Sequence, residues 1–188
     1  MLITRPATPT DVPGLTVLIN RAYRGQGSRR GWTTEAHLFD GPRIAESTLQ
    51  ALLRAPYTRL WCCHEPAQGL VGGMCLTRPP GERLYLSLLA VAPEAQAHGV
   101  GRQLLQLAEQ QARHLRCRYV EMTVLAQRPD LLAWYGRRGY VATGAAAPLV
   151  VESTVGQPRQ PLTLLTLAKF VLPEPEIYFS SEASLAAT

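Results

Sequence analysis

The chain has 188 residues, 46% of them apolar, and a formal net charge of +5. This size and composition are typical of one domain with a sizeable core. The chain has no run of about 18 apolar residues, so we expect no membrane-spanning helix and no membrane partner. The N-terminal residues Met1-Leu2-Ile3-Thr4-Arg5 lack the basic-then-apolar order of a secretory signal. We therefore expect a cytoplasmic protein.

The distribution of the cysteines and of the basic residues argues against a metal site and against a nucleic-acid site. Cys62, Cys63, Cys75 and Cys117 form no Cys-x-x-Cys pair and have no histidine at metal-ligand spacing. We expect reduced thiols and no metal site. A basic balance is compatible with nucleic acid or with a phosphate-bearing cofactor. Because the arginines are spread along the chain without interleaved aromatic residues, we expect no nucleic-acid partner.

The first third of the chain predicts a short strand followed by two helices. Residues 2–5 have the character of a strand, and Thr10 or Asp11 precedes Pro13 as expected at the start of a helix. The apolar face of this helix consists of Leu15, Leu18, Ile19, Ala22 and Tyr23. The glycine-rich, basic residues 24–31 predict a mobile loop. Residues 46–54 predict a second helix that ends before Pro56.

The remaining two thirds predict a hairpin and then a strand–helix–strand unit. Residues 59–64 and 70–77 form the predicted hairpin, and residues 83–92 form a strand. In that strand Leu84, Leu86 and Leu88 face one side, whereas Tyr85 and Ser87 face the other. Helical spacing follows over residues 100–115. The last predicted elements are a strand over 119–126, a helix over 130–137, and strands over 139–143 and 162–170.

This order favours an α/β (α+β) sandwich built around one mixed sheet. Residues 1–172 form the predicted domain. Residues 173–188 form a tail with little periodicity, which we expect to be loosely ordered or packed on a neighbour.

A glycine-containing loop joins the buried strand to the helix over residues 100–115. The strand ends at Pro93, and the helix begins near Gly99, where free backbone N–H groups and the helix dipole favour an anion. Glycines let a phosphate approach the backbone closely, and Arg102 can add a charged contact. The loop is not a Rossmann fingerprint, because Leu104 stands where a third glycine is needed. It is not a Walker loop either, because no Gly-Lys-Ser or Gly-Lys-Thr occurs.

The pattern Gln-x-x-Gly-x-Gly after Val-x-Pro resembles the acetyl-CoA-binding signature of GNAT acetyltransferases, with Gln96, Gly99 and Gly101 as the matching residues. The resemblance covers about residues 3–170. It implies the GNAT fold, a mixed, mostly antiparallel central sheet flanked by helices. The fourth and fifth strands of that fold splay apart, and pantetheine enters between them. The implied contacts to acetyl-CoA, without a metal, come from Leu89, Ala90, Val91, Gln96, Ala97, His98, Gly99, Val100, Gly101 and Arg102.

The segment Leu132-Ala133-Trp134-Tyr135-Gly136-Arg137-Arg138-Gly139-Tyr140 resembles the fourth-helix motif of the family. The resemblance implies that Tyr135 protonates the departing CoA thiolate, with simple packing of its ring as the alternative. Many members have Asn seven residues before this Tyr, where it helps to hold the cofactor. Arg128 stands there instead, either to contact a phosphate or to be solvated.

The general base is the least defined part of the expected site. Many relatives carry Glu or His on the fourth strand, where this chain has Tyr85 and Ser87. Neither is a strong base at neutral pH. Proton removal then runs through ordered water or through Glu121 on the next strand, with a surface carboxylate as the alternative interpretation of Glu121.

In the family, the first two helices and their loop cover the acceptor. That region here contains Trp32 and Glu35, which can hold an amine by cation–π and ionic contact. Trp32 as a packing anchor after a helix cap is an equal alternative. The predicted acceptor-binding residues are Tyr23, Trp32, Glu35, Tyr85 and Ser87.

These observations predict an N-acetyltransferase that transfers the acetyl group of acetyl-CoA to the primary amine of a small or amino-acid-like acceptor by direct attack. Two alternatives stay open. One is an acetyltransferase for protein lysines or N-terminal amines. The other is a non-catalytic acyl-CoA-binding module. A homodimer is also compatible with the sequence.

Overall fold

The computed structural model describes residues 1–24, 26–150 and 156–171. Its centre is a seven-stranded sheet with the order β1-β2-β3-β4-β5-β7-β6. The strands are β1 Ile3–Pro6, β2 Thr58–Glu65, β3 Gly69–Thr77, β4 Arg83–Val91, β5 Tyr119–Leu125, β6 Val141–Pro148 and β7 Thr163–Phe170. Every neighbouring pair is antiparallel except β4 and β5, which are parallel. This mixed, mostly antiparallel sheet confirms the predicted fold class.

Within the described residues, four α-helices flank the sheet: α1 Val12–Tyr23, α2 Glu46–Arg54, α3 Val100–His114 and α4 Pro129–Gly136. Two adjacent glycines of β3 let α1 and α3 approach opposite faces of the sheet. A Cβ atom on Gly72 would lie 2.9 Å from Val100 Cγ1 of α3, and one on Gly73 would lie 2.6 Å from Leu15 Cδ2 of α1. Because neighbouring strand residues point to opposite faces, the two helices sandwich the sheet at this point.

The one parallel pair of strands separates along its length. Register partners join β4 and β5 only at Arg83–Tyr119, Leu84–Val120 and Tyr85–Glu121. Beyond Tyr85, β4 continues against β3 and β5 continues against β7. A register shift in the β3–β4 pair and a left-handed φ of 52° at Leu88 bend β4 away. The splay that the family resemblance implied is therefore confirmed.

The core lies on both faces of this sheet and includes the predicted apolar face of α1. Leu15, Leu18, Ile19 and Ala22 are all buried, and the alternation of Leu84, Leu86 and Leu88 in β4 puts these three residues in the core. All four cysteines are free and buried. No helix in the described part of the chain is long and apolar enough to cross a membrane.

Most predicted elements appear within two residues of their expected ends, with three exceptions. Asp11 makes no side-chain cap bond to α1 and instead accepts the Thr8 N–H and pairs with Arg5. The expected loop over residues 24–31 contains a 3-10 helix at Gln26–Arg30. The expected strand over 139–143 begins at Val141 and extends to Pro148.

The shift of β6 relative to its predicted position has a local cause. Gly139 adopts a left-handed φ of 84°, and its N–H donates to the Gly136 carbonyl, so Gly139 belongs to the turn that ends α4. The alanine-rich end of β6 has low strand propensity and no alternation, which hides it in the sequence. The predicted tail lies outside the described residues.

Candidate active site

Two cavities meet in the opening between β4 and β5. The first, of about 340 Å³, lies at the start of α3 and is called the α3 cavity here. The second, of about 440 Å³, lies between the splayed strands and the segment after α1, and is called the strand cavity. Four residues line both cavities: Tyr23, Leu89, Leu131 and Tyr135. The two spaces therefore share a junction at which two bound molecules could meet.

The start of α3 has the geometry of an anion site. Gly99 is the N-cap residue and has a left-handed φ of 85°, and the helix begins at Val100. The first N–H groups of a helix have no partner within it and point outward. A Cβ on Gly101 would lie 3.4 Å from the Trp134 ring, so any larger side chain would enter the α3 cavity. Arg102 lines the same cavity.

Arg138 and Trp134 form a basic and aromatic wall of the α3 cavity. The Arg138 guanidinium lies 3.7 Å from the centre of the Trp134 ring, and its Nη1 donates to the Trp134 carbonyl at 2.7 Å. Its Nε is buried without a hydrogen-bond partner among the described residues. Burial, together with Arg137 and Arg102 nearby, lowers the pKa of Arg138. An anion in this cavity would reduce the electrostatic repulsion among Arg138, Arg137 and Arg102.

Gln96 joins the loop before α3 to the segment after α1. Its Oε1 accepts the Trp32 N–H at 2.9 Å, and its Nε2 donates to Thr33 Oγ1 at 2.8 Å and to the Val91 carbonyl at 3.2 Å. The amide therefore already has protein partners on both sides. Gln96 lines the α3 cavity, and it fixes the position of the wall that Trp32 and Thr33 form.

Arg128 holds the same segment from the other side. Nη1 donates to the carbonyls of Thr33 and Thr34, and Nη2 donates to the carbonyl of Trp32, all at 3.0–3.1 Å. Nε and Nη2 also bind the Asp130 carboxylate at 3.1 and 2.9 Å. The side chain is only 3% exposed and lines neither cavity. The guanidinium is therefore buried and bound to protein groups rather than solvated.

Tyr135 lies at the junction of the two cavities. The structure gives its hydroxyl no hydrogen-bond partner among the described residues, and its ring packs edge-on against Trp134 and Tyr140. Burial raises the pKa of Tyr135 well above its ordinary value. The phenol is therefore protonated at neutral pH and available as a donor.

Tyr23 and Tyr85 stabilise the two edges of the opening. The Tyr23 hydroxyl donates to the Leu89 carbonyl at 2.7 Å, which ties the end of α1 to β4. Burial raises the pKa of Tyr23 to about 12. The Tyr85 hydroxyl lies 2.7 Å from Thr123 Oγ1 and bridges β4 and β5 just beyond their last paired residues. The hydrogen bond between Tyr85 and Thr123 therefore forms one end of the strand cavity.

The charged groups of the strand cavity are Glu35, Arg24 and Arg43. Glu35 is 7% exposed, and one carboxylate oxygen lies 3.9 Å from Arg24 Nε. Burial raises the pKa of Glu35, against the opposing effects of Arg43 and Arg24. A carboxyl group with a raised pKa inside a cavity is a candidate proton acceptor.

The comparisons with known proteins agree with this geometry. The model of the acetyltransferase (GNAT) family matches residues 29–140. The chain belongs to the GNAT acetyltransferase family. It is accordingly an acyltransferase, and acetyl-CoA is the co-substrate that this family uses. A search of curated proteins found no significant match.

Solved structures show the same GNAT fold at low sequence identity. The ribosomal-protein-S18-alanine N-acetyltransferase of Escherichia coli is 13% identical with a TM-score of 0.69, over 95% of this chain and 99% of that chain. The ribosomal-protein-alanine N-acetyltransferase of Brucella melitensis is 21% identical with a TM-score of 0.66, over 90% and 99%. Mutant forms of the spermidine/spermine N-acetyltransferase of Vibrio cholerae are 15% identical with a TM-score of 0.63, over 90% and 95%.

Most of the GNAT site residues predicted from the sequence line the two cavities. Those in the α3 cavity are Tyr23, Trp32, Leu89, Val91, Gln96, Ala97, Gly99, Gly101, Arg102 and Tyr135. Those in the strand cavity are Tyr23, Glu35, Tyr85, Ser87, Leu89 and Tyr135. Trp32 was expected beside the acceptor. It instead lies 5.9 Å from Trp134, ring centre to ring centre, on the α3 side.

Besides Arg128, four predicted residues line neither cavity with their side chains. Ala90 and Val100 are buried in the core, and the His98 side chain is exposed. Glu121 is the register partner of Tyr85 in the closed part of the β4–β5 pair, and its carboxylate binds Arg83 Nη1 at 3.0 Å. Because the strands separate only beyond this pair, Glu121 lines neither the α3 cavity nor the strand cavity.

The cavity lining includes three cations and a tryptophan that the sequence did not single out for binding: Arg24 and Arg43 in the strand cavity, and Trp134 and Arg138 in the α3 cavity. Trp134 and Arg138 were visible only as members of the fourth-helix motif. Arg24 and Arg43 carry no motif, and only folding brings them together. Within the described residues no cluster of His, Cys, Asp or Glu is suited to a metal ion.

Replacing Arg128 with Met tests whether this residue positions the Trp32–Thr34 segment or contacts the cofactor. We expect Arg128→Met to lower the free energy of unfolding by about 3 kcal/mol in urea titrations, because three carbonyls lose a charged donor. Asp130→Asn, which keeps those three bonds, serves as the control and should cost less than about 1 kcal/mol. A loss of acetyl-CoA affinity without a loss of stability would show that Arg128 contacts the cofactor directly.

Proposed function

We propose that this enzyme is an N-acetyltransferase that transfers the acetyl group of acetyl-CoA to the primary amine of a small acceptor by direct attack. The observation that carries the proposal is the junction of the α3 cavity and the strand cavity at Tyr23, Leu89, Leu131 and Tyr135. Acetyl-CoA takes the α3 cavity, and the acceptor takes the strand cavity. No covalent enzyme intermediate is needed, because the two substrates meet directly.

The α3 cavity suits a diphosphate with a pantetheine arm. The N–H groups at the start of α3 bind the diphosphate, and the two glycines leave room for it. Arg102 and Arg138 neutralise its charge, since both line the cavity. Pantetheine runs along the β4 edge, where separation from β5 exposes backbone groups near Leu89 and Val91.

Tyr135 is the proposed general acid. Its hydroxyl is protonated, has no hydrogen-bond partner among the described residues and lies at the junction where the thioester would be placed. The amine nitrogen attacks the carbonyl carbon of the acetyl group, and the carbon–sulfur bond then breaks. The sulfur takes the electron pair of that bond and the proton of Tyr135, which gives CoA thiol. Solvent returns the proton to Tyr135.

Glu35 is the proposed general base, in place of Glu121. The Glu35 carboxylate lines the strand cavity, whereas Glu121 is bound to Arg83 outside both cavities. The raised pKa of Glu35 brings it closer to the pH at which a base works well. Glu35 removes the proton that the attacking nitrogen loses and later releases it to water, so protons balance over one turnover.

A small acceptor fits the strand cavity better than a protein segment. The cavity is about 440 Å³, within the range of small-molecule sites, and its walls come from α1, α2, β4, β5, α4 and β7. The fold by itself does not select the acceptor. Structures with this fold bear the names of acetyltransferases for ribosomal-protein alanine and for spermidine.

Gly101→Glu tests the cofactor site. We expect calorimetry to show no acetyl-CoA binding by this variant, because the added carboxylate enters the α3 cavity and repels the diphosphate. The wild type should bind. Gly136→Glu is the matched control, since a Cβ there meets no atom within 4 Å. Equal binding by wild type and Gly101→Glu would contradict the assignment of the α3 cavity.

Tyr135→Phe tests the general acid. We expect kcat to fall about 10²- to 10⁴-fold with little change in the KM for acetyl-CoA, because the ring still packs and only the proton donor is lost. CoA release with a thiol reagent provides the measurement. Tyr140→Phe removes the hydroxyl of the neighbouring ring and is the control. Unchanged kcat in Tyr135→Phe would leave only a packing role for this residue.

Glu35→Gln tests the general base through pH dependence. The raised pKa of Glu35 means that the carboxyl group loses its proton at a higher pH than an ordinary glutamate. We therefore expect the kcat/KM of the wild type to fall as pH is lowered through that raised pKa. Glu35→Gln should lower kcat/KM about 10²-fold or more and remove this acid limb. An acid limb that persists in the variant would assign it to another group.

A further inference from the structure

The strand cavity carries more positive than negative charge. Among its described lining residues, the charged groups are two arginines, Arg24 and Arg43, and one carboxylate, Glu35. Most of the remaining lining is apolar. A cavity with one uncompensated cation favours a ligand that brings an anion, because an unpaired charge in a half-enclosed space is costly.

Arg24 is already engaged with groups of the protein. It is 7% exposed, its Nη1 donates to the Pro42 carbonyl at 2.6 Å, and its guanidinium lies 4.0 Å from the centre of the Phe39 ring. Its Nε lies 3.9 Å from the Glu35 carboxylate without a hydrogen bond. The contacts of Arg24 are therefore made within the protein, and both Arg24 and Arg43 act electrostatically on Glu35.

Arg43 has no partner at hydrogen-bond distance among the described residues, although it acts on Glu35 through space. Its guanidinium lies 5.4 Å from the centre of the Tyr23 ring and has no hydrogen bond or ion pair with any described residue. Tyr23 itself lines the junction of the two cavities, so this free guanidinium lies on the wall nearest the reaction. Five donor hydrogens in a planar fork match a carboxylate.

The segment that carries Arg43 is held rigidly. Asn20 Oδ1 of α1 accepts the N–H groups of Arg43 and Ile44 at 2.7 and 3.1 Å, and its Nδ2 donates to the Ile44 carbonyl at 3.0 Å. This three-bond clamp fixes the backbone on both sides of Arg43. A side chain on a rigid segment can bind an anion with little loss of entropy.

From these contacts we infer that the acceptor is an amine that also carries a carboxylate, namely a free α-amino acid with an apolar side chain. Arg43 binds the carboxylate, the amino group faces Glu35 and the junction at Tyr135, and the side chain lies against the apolar lining around Leu52, Met122 and Val124. The two arginines disfavour polyamines by repulsion. A peptide N-terminus lacks the free α-carboxylate. This inference rests on the proposed acetyl transfer.

The test compares acceptors that differ only in the carboxylate. L-Phenylalanine, L-phenylalaninamide and phenethylamine form one matched set, and L-leucine, L-leucinamide and isopentylamine form the second. The remaining proteinogenic amino acids and an alanyl peptide complete the panel. CoA release and the mass of the acetylated product are measured. We expect kcat/KM for the best amino acid to exceed that of its amide and its decarboxylated amine by about 10- to 100-fold.

Variants of Arg43 then locate the carboxylate. Arg43→Met keeps the side-chain stem and should lower the ratio of kcat/KM for the amino acid to kcat/KM for the decarboxylated amine about 10- to 100-fold, with acetyl-CoA binding retained. The ratio cancels any effect of Arg43 on the pKa of Glu35, because both acceptors need the same base. Arg43→Lys should restore part of the discrimination. Arg54→Gln, an exposed arginine at the end of α2, is the control. Matched thermal melting curves exclude unfolding as the cause.

The outcomes separate this inference from the proposed function. Acetylation of no amino acid, equal use of amides and plain amines, or unchanged discrimination in Arg43→Met would each overturn the inference. Acetyl transfer to a peptide or a plain amine in those cases would leave the proposed function intact. Release of no CoA with any acceptor in the panel would overturn both.

Discussion

The separation of β4 from β5 is the constraint on which the rest of the site depends. Three register pairs hold the strands together, and beyond them the backbone of each strand pairs only with its other neighbour. A parallel pair in the middle of a sheet normally continues its ladder, since unpaired backbone groups are costly when buried. Here the left-handed residue Leu88 and the bulge bend β4 away and open a passage through the sheet. Both cavities exist because of that opening.

A second set of contacts makes the two cavities depend on one segment. Trp32, Thr33 and Thr34 are held by the Arg128 guanidinium on one side, and Trp32 and Thr33 by the Gln96 amide on the other. Glu35, the next residue, enters the strand cavity, and its N–H donates to the Tyr23 carbonyl at 2.6 Å. Glu35 is therefore positioned by the same network that shapes the wall of the α3 cavity.

The α3 cavity and the strand cavity differ in the charged side chains that line them. Arg102 and Arg138 face the α3 cavity, where a diphosphate needs several positive groups and the dipole of a helix start. Arg24, Arg43 and Glu35 face the strand cavity, where both arginines act on the carboxyl group and Arg43 is the proposed partner of a ligand carboxylate. The buried phenols of Tyr23 and Tyr135 lie between the two cavities. Burial keeps both protonated at neutral pH, so neither adds charge to the junction.

Local patterns in the sequence determined the family, the four helices, most strands and the start of α3. Apolar spacing and glycines act over a few residues, and Gln96, Gly99, Gly101 and Tyr135 belong to such local motifs. The tertiary structure decided the contacts between distant residues. Arg128 meets the Trp32–Thr34 carbonyls across about 95 residues of sequence, Glu121 ends up in the closed half of a strand pair, and Arg24, Arg43 and Glu35 converge from separate turns. Such pairings depend on how strands separate and how loops cross the sheet, and no local spacing encodes either one.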